Sequence, residues 1–309
     1  MSSQYFRFTA RGPGEPRRSL LLEQLLARAE PSPASSEWRA DAFRVIAPQE
    51  PCMPAVAAAA LCADRGPIEG AWVCLASPVL YVAETNNVRL PAEGVLTLAQ
   101  ADAETLAFDF NAEWNDAGVR MISGRSGRLY CLFDRALHVS TRDPTDAFGQ
   151  YIEDYLPTGA DAPRLRRLMS EIEMWLFTHE LNRRRAAEGS LTLSGLWLWA
   201  GGVPLNALPK VLGWVAGEDI FFGAFSDSGA SSGSGGIGAG GGIIIVRELP
   251  GSDAWHEAES RWLKPAVAQL RRGRISRLYL SAAQRGYSLT AAQLRRFWRR
   301  RQPWWEAFA

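Results

Sequence analysis

Hydrophobic spacing along the chain is clearest near its middle. From residue 161 to about residue 189, Leu165, Leu168, Met169, Ile172, Trp175 and Leu176 recur at intervals of three and four, the spacing of one helix face. Asp161 stands at the N-cap position ahead of Pro163, and Gly189 supplies a stop. The pattern predicts one long amphipathic helix. The segment LSGLWLW (193–199) follows, apolar on both faces, and reads as a strand buried at the centre of a sheet.

The flanking regions are more broken. Gly12, Pro13, Gly14 and Pro16 mark residues 1–18 as a loose leader. A short helix with Ser19 as its cap runs to Ala29, PSPASS interrupts it, and EWRADAFRVI resumes helix; MPAVAAAALCAD is a small-residue helix. AWVCLA and VLYVAE read as strands. Residues 99–115 read as a helix, VRMIS and RLYCLF as strands around a Gly-rich turn, and DAFGQYIEDYL as helix again. Beyond VLGWVAG and IIIVRE, a helical stretch bends or restarts at Pro265, ISRLYLSAAQ and YSLT form a hairpin, and Thr290 caps a last helix that buries Leu294, Phe297 and Trp298. Helices and strands come without steady alternation. The expected class is α+β: a mixed sheet with several hairpins, and the long helix packed on the central Trp-rich strand. The chain divides into the leader 1–18, an α+β part at 19–157, the helix and W-x-W core at 158–225, a flexible Gly/Ser-rich loop at 226–242, and a C-terminal part at 243–309 packed on the same core.

Composition adds boundaries to this picture. The 309 residues are 47% hydrophobic and 22% charged with a net charge of +1, as in a soluble globular protein without a global attraction to polyanions. Cys52, Cys62, Cys74 and Cys131 form no C-x-x-C pair and have no neighbouring histidines, so no metal site is expected and the thiols read as reduced. The N-terminus lacks the apolar core of a signal peptide, and no apolar run reaches the roughly 20 residues needed to span a bilayer. These features read as a cytoplasmic protein without a membrane association. The Gly/Ser-rich loop contains neither G-x-x-x-x-G-K-[ST] nor a strand-linked G-x-G-x-x-G, so no nucleotide cofactor is expected.

Candidate chemistry sits on the long helix. At about 100° per residue, Glu171, Trp175, His179, Asn182 and Arg185 share one side, along the edge of the apolar stripe. A histidine, an amide and a guanidinium so placed suit a small anion; they equally suit a buried helix edge bonded to neighbouring loop backbone. A second constellation lies in the tail, where Arg295, Arg296 and Arg299 stand near tryptophans in a basic stretch. That pairing suits nucleic acid, or an amphipathic helix with its arginines in water.

The segment EIEMWLFTHELNRRRAAEGSLTLSGLWLWAGG resembles the bacterial Rpf-type regulatory proteins, type E. Glu171, Met174, His179, Asn182, Arg185, Gly189, Trp197, Trp199, Gly201 and Gly202 match the pattern E-x-x-M-x-x-x-x-H-P-x-N-x-x-R-x-x-x-G-x-x-x-x-N-x-x-W-x-W-G-G-G. The chain departs from it at Glu180, Ser194 and Ala200, and has Leu80 where the family has histidine. The same motif is similar to one in archaeal-type cofactor-independent phosphoglycerate mutases, which implies a two-metal centre held by Asp and His. Only His138, His179 and His256 are present, in unrelated contexts. The resemblance therefore implies a regulatory-type protein without a catalytic centre, binding a small anionic ligand or a protein partner through Glu171, His179, Asn182, Arg185, Trp197 and Trp199. The alternatives are a phosphoglycerate mutase-like, metal-dependent enzyme and, second, a nucleic-acid binder using Arg295, Arg296 and Arg299.

Overall fold

The computed structural model describes residues 2–8, 17–32, 38–84, 87–211, 213–225, 241–247, 250–283 and 285–308. The chain divides into two units, one formed by residues 1–53 with 209–309 and the other by residues 54–208. Each has its own sheet and its own hydrophobic core. Among the described residues no helix is long and apolar enough to cross a membrane.

The first unit opens with strand β1 (Ser3–Phe8), helix α1 (Leu20–Arg28), strand β2 (Glu30–Ser32) and helix α2 (Trp38–Ile46). The leader expected at 1–18 is thus in part a strand, and an interior one. β1 pairs in parallel with Gly242–Val246 on one side and Arg277–Ala282 on the other. Its alternation fits: Gln4, Phe6 and Phe8 are fully buried on one face. Six residues whose partners lie more than 230 positions away leave only this faint local mark, and the Gly/Pro signals at 12–16 masked it. Ser19 does not cap α1 with its side chain; its hydroxyl donates to Glu259 instead.

Residues 54–208 form α3 (Val56–Arg65), β3 (Trp72–Val79), the small pair β4 (Val82–Ala83) and β5 (Val88–Arg89), α4 (Gln100–Glu113), β6 (Val119–Ser123), β7 (Leu129–Phe133), α5 (Ala162–Thr178), α6 (Glu180–Ala187) and β8 (Gly195–Gly202). The sheet is antiparallel in the order β6-β7-β3-β8. α4 and α5 cover one face, burying Phe110, Leu165, Ile172 and Leu176 against Trp72, Cys74, Met121 and Leu198. α3 packs on β3 and β8 as well. Its small residues allow the approach, since a Cβ at Gly202 would come within 2.4 Å of the Ala55 Cβ. The Trp-rich strand β8 is consequently not central but the edge of this sheet. Both its faces are apolar because both are covered by helices, and the Ala200 N–H is taken by the Thr141 hydroxyl. The β3–β8 register shifts near Val73 and Leu75, and Ala200 adopts φ +59°, in the left-handed region that favours glycine. The helix expected over DAFGQYIEDYL is two 3₁₀ turns, Pro144–Ala147 and Ile152–Tyr155.

The single helix expected at 161–189 is two. His179 is extended, with φ −70° and ψ 142°, and serves both as the end of α5 and as the N-cap of α6. The resembled pattern places proline after the histidine, and proline suits the first position of a new helix. Glu180 occupies that position here. A helix-compatible residue there removed the break signal from the sequence while the break itself remains.

The chain then returns to the first unit with β9 (Trp214–Ala216), α7 (Ile220–Gly223), β10 (Gly242–Val246), α8 (Asp253–Ala258), α9 (Lys264–Arg271), β11 (Arg277–Ala282), β12 (Arg285–Leu289) and α10 (Trp304–Phe308). The sheet order is β2-β12-β11-β1-β10-β9, with β11, β1, β10 and β9 mutually parallel and the β11–β12 hairpin antiparallel. Trp255, Phe6, Phe8, Trp304 and Phe308 pack edge-to-face in its core. Both units together bear out the α+β class. Pro265 starts α9 as expected, after a π-turn at Glu259–Leu263. The last long helix does not form: Gln293–Arg295 is a 3₁₀ turn, and only Leu294 of its three expected core residues is buried. The Gly/Ser-rich loop at 226–242 lies outside the described residues except Gly241 and Gly242.

Candidate functional site

The motif residues meet where α5, α6 and the segment leading to β8 converge. The His179 Nδ1 accepts from the Leu181 N–H at 3.1 Å, closing the first turn of α6. Its ring stands edge-on to Trp175, centroids 4.4 Å apart, and its Nε2 lies 3.3 Å from the Asp109 carboxylate on α4. Asn182 is 7% exposed. Its Nδ2 donates to the Leu176 and Leu193 carbonyls, both at 2.8 Å, and its Oδ1 accepts from the Leu193 N–H at 2.8 Å. Arg185 donates from Nε to the Leu191 carbonyl at 2.7 Å, with Nη1 3.8 Å from Asp102. One side chain ends a helix and starts another, a second pins the loop to both, and a third holds the loop's entry.

The remaining residues of the set are engaged in similar ways. Glu171 accepts from Arg167 one turn earlier, on the surface of α5. The Trp197 indole donates to the Arg142 carbonyl and the Trp199 indole to the Ser77 hydroxyl. Of the six residues, His179, Asn182 and Arg185 are brought together; Glu171, Trp197 and Trp199 each bond elsewhere. The spacing H-x-x-N-x-x-R reports the construction of a helix–helix–loop corner.

Burial holds the His179 imidazole below its ordinary pKa, against the opposing influence of Asp109. The capping bond acts in the same direction, since a proton on Nδ1 would remove the acceptor that caps α6. The sign of the linkage follows. In the unfolded chain the imidazole titrates near about 6.5. On acidification the unfolded state takes up the proton first, so stability is fully present above that value and falls as the pH drops toward the lower folded value. On the same ring Glu180 acts with Asp109 to raise the pKa and Arg183 acts with burial to lower it, both more weakly. Urea unfolding at pH 7.5 and 5.5 should therefore show a loss of stability that is smaller in His179→Asn, which keeps a capping oxygen and cannot titrate. Equal losses in both proteins would remove His179 from the account.

Metal ligation of the kind the mutase resemblance implies needs several Asp and His side chains converging on one point. Among the described residues no group of three His, Cys, Asp or Glu side chains does so. His256 bonds through Nδ1 to the Ser252 carbonyl, and the backbone N–H of His138 donates to Asp161. Cys74 and Cys131 face each other across β3 and β7 as buried free thiols. The described residues do not assemble a two-metal centre.

An open cavity of about 450 Å³ lies in the other unit, between α2 and the β1–β11–β12 face. Its floor carries Tyr5 and Ser281, both nearly buried, with Tyr279 stacked on Tyr5 at 6.0 Å. Burial raises the Tyr5 hydroxyl's pKa, so it stays a neutral donor. Beside the floor, on the same face of β1 as Tyr5, Arg7 donates to the Ser281 hydroxyl at 2.9 Å and to the Ala283 carbonyl at 2.8 Å. Arg44, paired with Asp41 at 2.8 Å, and the exposed Arg285 form the rim. Tyr5 and Arg7 are hidden in the sequence by the Gly/Pro signals at 12–16, and Arg44, Ser281 and Arg285 join them only in the folded chain. The alternation of β1, Tyr5 and Arg7 against Phe6 and Phe8, was the available signal.

The three tail arginines separate in the structure. Arg296 pairs with Glu30 at 2.8 Å, Arg299 donates to the Ala29 carbonyl at 3.3 Å, and the exposed Arg295 shares a shallow cleft with Arg271.

The chain matches no known family model. Among curated proteins it is 26% identical over 146 residues to the 2,3-bisphosphoglycerate-independent phosphoglycerate mutase of Methanosarcina mazei, covering 45% of this chain and 37% of that protein. It is 29% identical over 147 residues to 2,3-bisphosphoglycerate-independent phosphoglycerate mutase 2 of Methanothermobacter thermautotrophicus, covering 45% and 36%. A 59-residue stretch is 41% identical to the probable mutase of Geobacter sulfurreducens, covering 19% and 15%. The matched region is thus little more than a third of the length of the first two relatives and less of the third. Among solved structures, the cofactor-independent phosphoglycerate mutase from Thermoplasma acidophilum aligns over 94% of this chain and 90% of that one, with a TM-score of 0.39 and 13% identity. The chain is distantly similar to cofactor-independent phosphoglycerate mutases. The type E regulatory identity rests on the motif resemblance alone.

Proposed function

We propose that this protein is a phosphoglycerate mutase-like chain that binds a small phosphorylated or carboxylate metabolite without interconverting it, in a regulatory capacity. The observation that carries the reading is the cavity floored by Tyr5 and Ser281 and rimmed by Arg44 and Arg285: a neutral phenol, a hydroxyl and guanidinium groups offer donors to an anion. The motif corner supports the scaffold half of the reading, since His179 Nδ1, the Asn182 amide and Arg185 Nε are bonded to backbone while His179 Nε2 and Arg185 Nη1 face the carboxylates of Asp109 and Asp102. Thermal unfolding with millimolar 3-phosphoglycerate, 2-phosphoglycerate or inorganic phosphate tests the binding. A ligand at about 100 times its Kd adds about 2.7 kcal/mol to the native state. The shift should be present in the unaltered chain and absent in Arg285→Glu; no shift with any of the three would sink the proposal.

The mutase similarity over 146 residues favours a second reading, an active metal-dependent mutase. Interconversion of 2- and 3-phosphoglycerate that rises on adding Mn²⁺ or Mg²⁺ would establish it over the first. The expected result is no turnover with either ion.

A further inference from the structure

Residues 261–301 contain twelve Lys and Arg and no Asp or Glu, in a chain whose net charge is +1. Part of that charge is used within the fold. Lys264 lies 3.5 Å from Glu259, Arg296 pairs with Glu30, and Arg261 and Arg277 sit over Trp262 and Tyr279. The rest is on the surface. Arg271, Arg272 and Arg274 are exposed at the end of α9, and Arg295, Arg300 and Arg301 are exposed after β12. Arg271 and Arg295 line one cleft of about 380 Å³ with Ala291, Ala292 and Leu294, so the two clusters meet there.

Next to Arg295 stand two large aromatic side chains that the core does not take up. Phe297 is 79% exposed and Trp298 68%. Their rings meet edge-to-face, centroids 5.4 Å apart. The helical spacing that would have buried them does not form, because the chain leaves the 3₁₀ turn at Arg296. A basic face alone is a solvated face, and a single exposed ring is ordinary. Here a cleft lined by Arg271 and Arg295 with no acidic side chain among its lining residues adjoins, at Arg295, a chain segment that carries two exposed rings.

We propose that this surface binds single-stranded nucleic acid, its phosphates seated along the Arg271–Arg295 cleft and its bases on Phe297 and Trp298. The match is one of chemistry. A single strand presents regularly repeated negative charge together with flat apolar faces, whereas a duplex hides those faces in its stack. An anionic bilayer offers charge and apolar depth, but insertion calls for an apolar helix face. Leu294, the aliphatic residue nearest the pair, is buried instead. Of the three arginines that spacing suggested only Arg295 belongs to this surface, since Arg296 and Arg299 are tied to Glu30 and Ala29.

The test is fluorescence anisotropy of the full chain with labelled dT20 and rU20 between 50 and 200 mM NaCl. Binding should weaken linearly in log–log form with salt. The double variant Arg271→Glu, Arg295→Glu should bind at least tenfold more weakly and with a shallower salt slope. Phe297→Ala with Trp298→Ala should weaken binding by roughly 30-fold or more and leave the slope unchanged. All four side chains are exposed, and quenching of tryptophan fluorescence by dT20 in the unaltered chain gives a readout without any variant. Four outcomes would overturn the proposal: no binding of either oligomer at 50 mM salt, an aromatic double variant that binds as well as the original, equal preference for duplex, or binding to phosphatidylserine vesicles in place of the oligomers.

Discussion

Asn182→Ala is expected to destabilise the 54–208 unit by about 3–5 kcal/mol, read as a fall in the urea midpoint. Each buried backbone group left unpaired costs about 1–3 kcal/mol. Alanine would orphan two, the Leu193 carbonyl and the Leu193 N–H, and would take one of two donors from the Leu176 carbonyl, which keeps the His179 N–H. Asn182→Asp sharpens the test. It keeps an acceptor for the Leu193 N–H but turns a carboxylate toward two carbonyl oxygens, so at pH 7 it should be as damaging as alanine. The same substitution separates the two uses of the motif. A ligand residue would lose affinity and keep stability, whereas a corner residue loses stability first. A loss below about 1 kcal/mol would contradict the structural assignment.

Trp255→Ala should cost the other unit about 3–5 kcal/mol, the range for removing a large aromatic side chain from a packed core. The indole is fully buried, edge-on to Phe6 at 6.0 Å and to Phe8 at 5.6 Å. Its N–H also donates to the Ser19 hydroxyl at 3.1 Å and to the Glu259 carboxylate at 3.2 Å. Trp255→Phe retains much of the ring packing and loses only the donor, so it should fall between. Glu259 would then keep the Ser19 hydroxyl, and the difference between Phe and Ala reports packing apart from hydrogen bonding. Denaturant unfolding followed by near-UV circular dichroism measures both; alanine and phenylalanine with equal effects would place the energy in the hydrogen bond.

The two substitutions also show why the parts of this protein differ in how far the sequence reveals them. Asn182 belongs to a motif compact enough to notice, within eleven residues of all its partners. Its spacing pointed to a shared location, and the structure has one. What the spacing could not supply was the direction of the polar atoms, because an amide that pins a loop and one that grips an anion need the same residue at the same place. Trp255 joins segments more than 230 residues apart, and only the folded chain brings them together.

The sequence by itself determined the elements whose pattern is local. The apolar stripe of α5, the helix α4, the β6–β7 and β11–β12 hairpins and the α+β class follow from periodicity and turn residues that act over a few positions. The tertiary structure decided whatever depends on a distant partner. β1 is an interior strand because β10 and β11 reach it from the far end of the chain. β8 is an edge strand that looked central because helices cover both its faces. α5 stops at His179 because a side-chain nitrogen caps the next helix, with no proline to announce it. Phe297 and Trp298 are exposed because a helical spacing makes a helix only where the fold provides a surface to bury it. Periodicity fixes which side chains share a face; the distant partner fixes what that face meets, and for this protein the chemistry lies in that second choice.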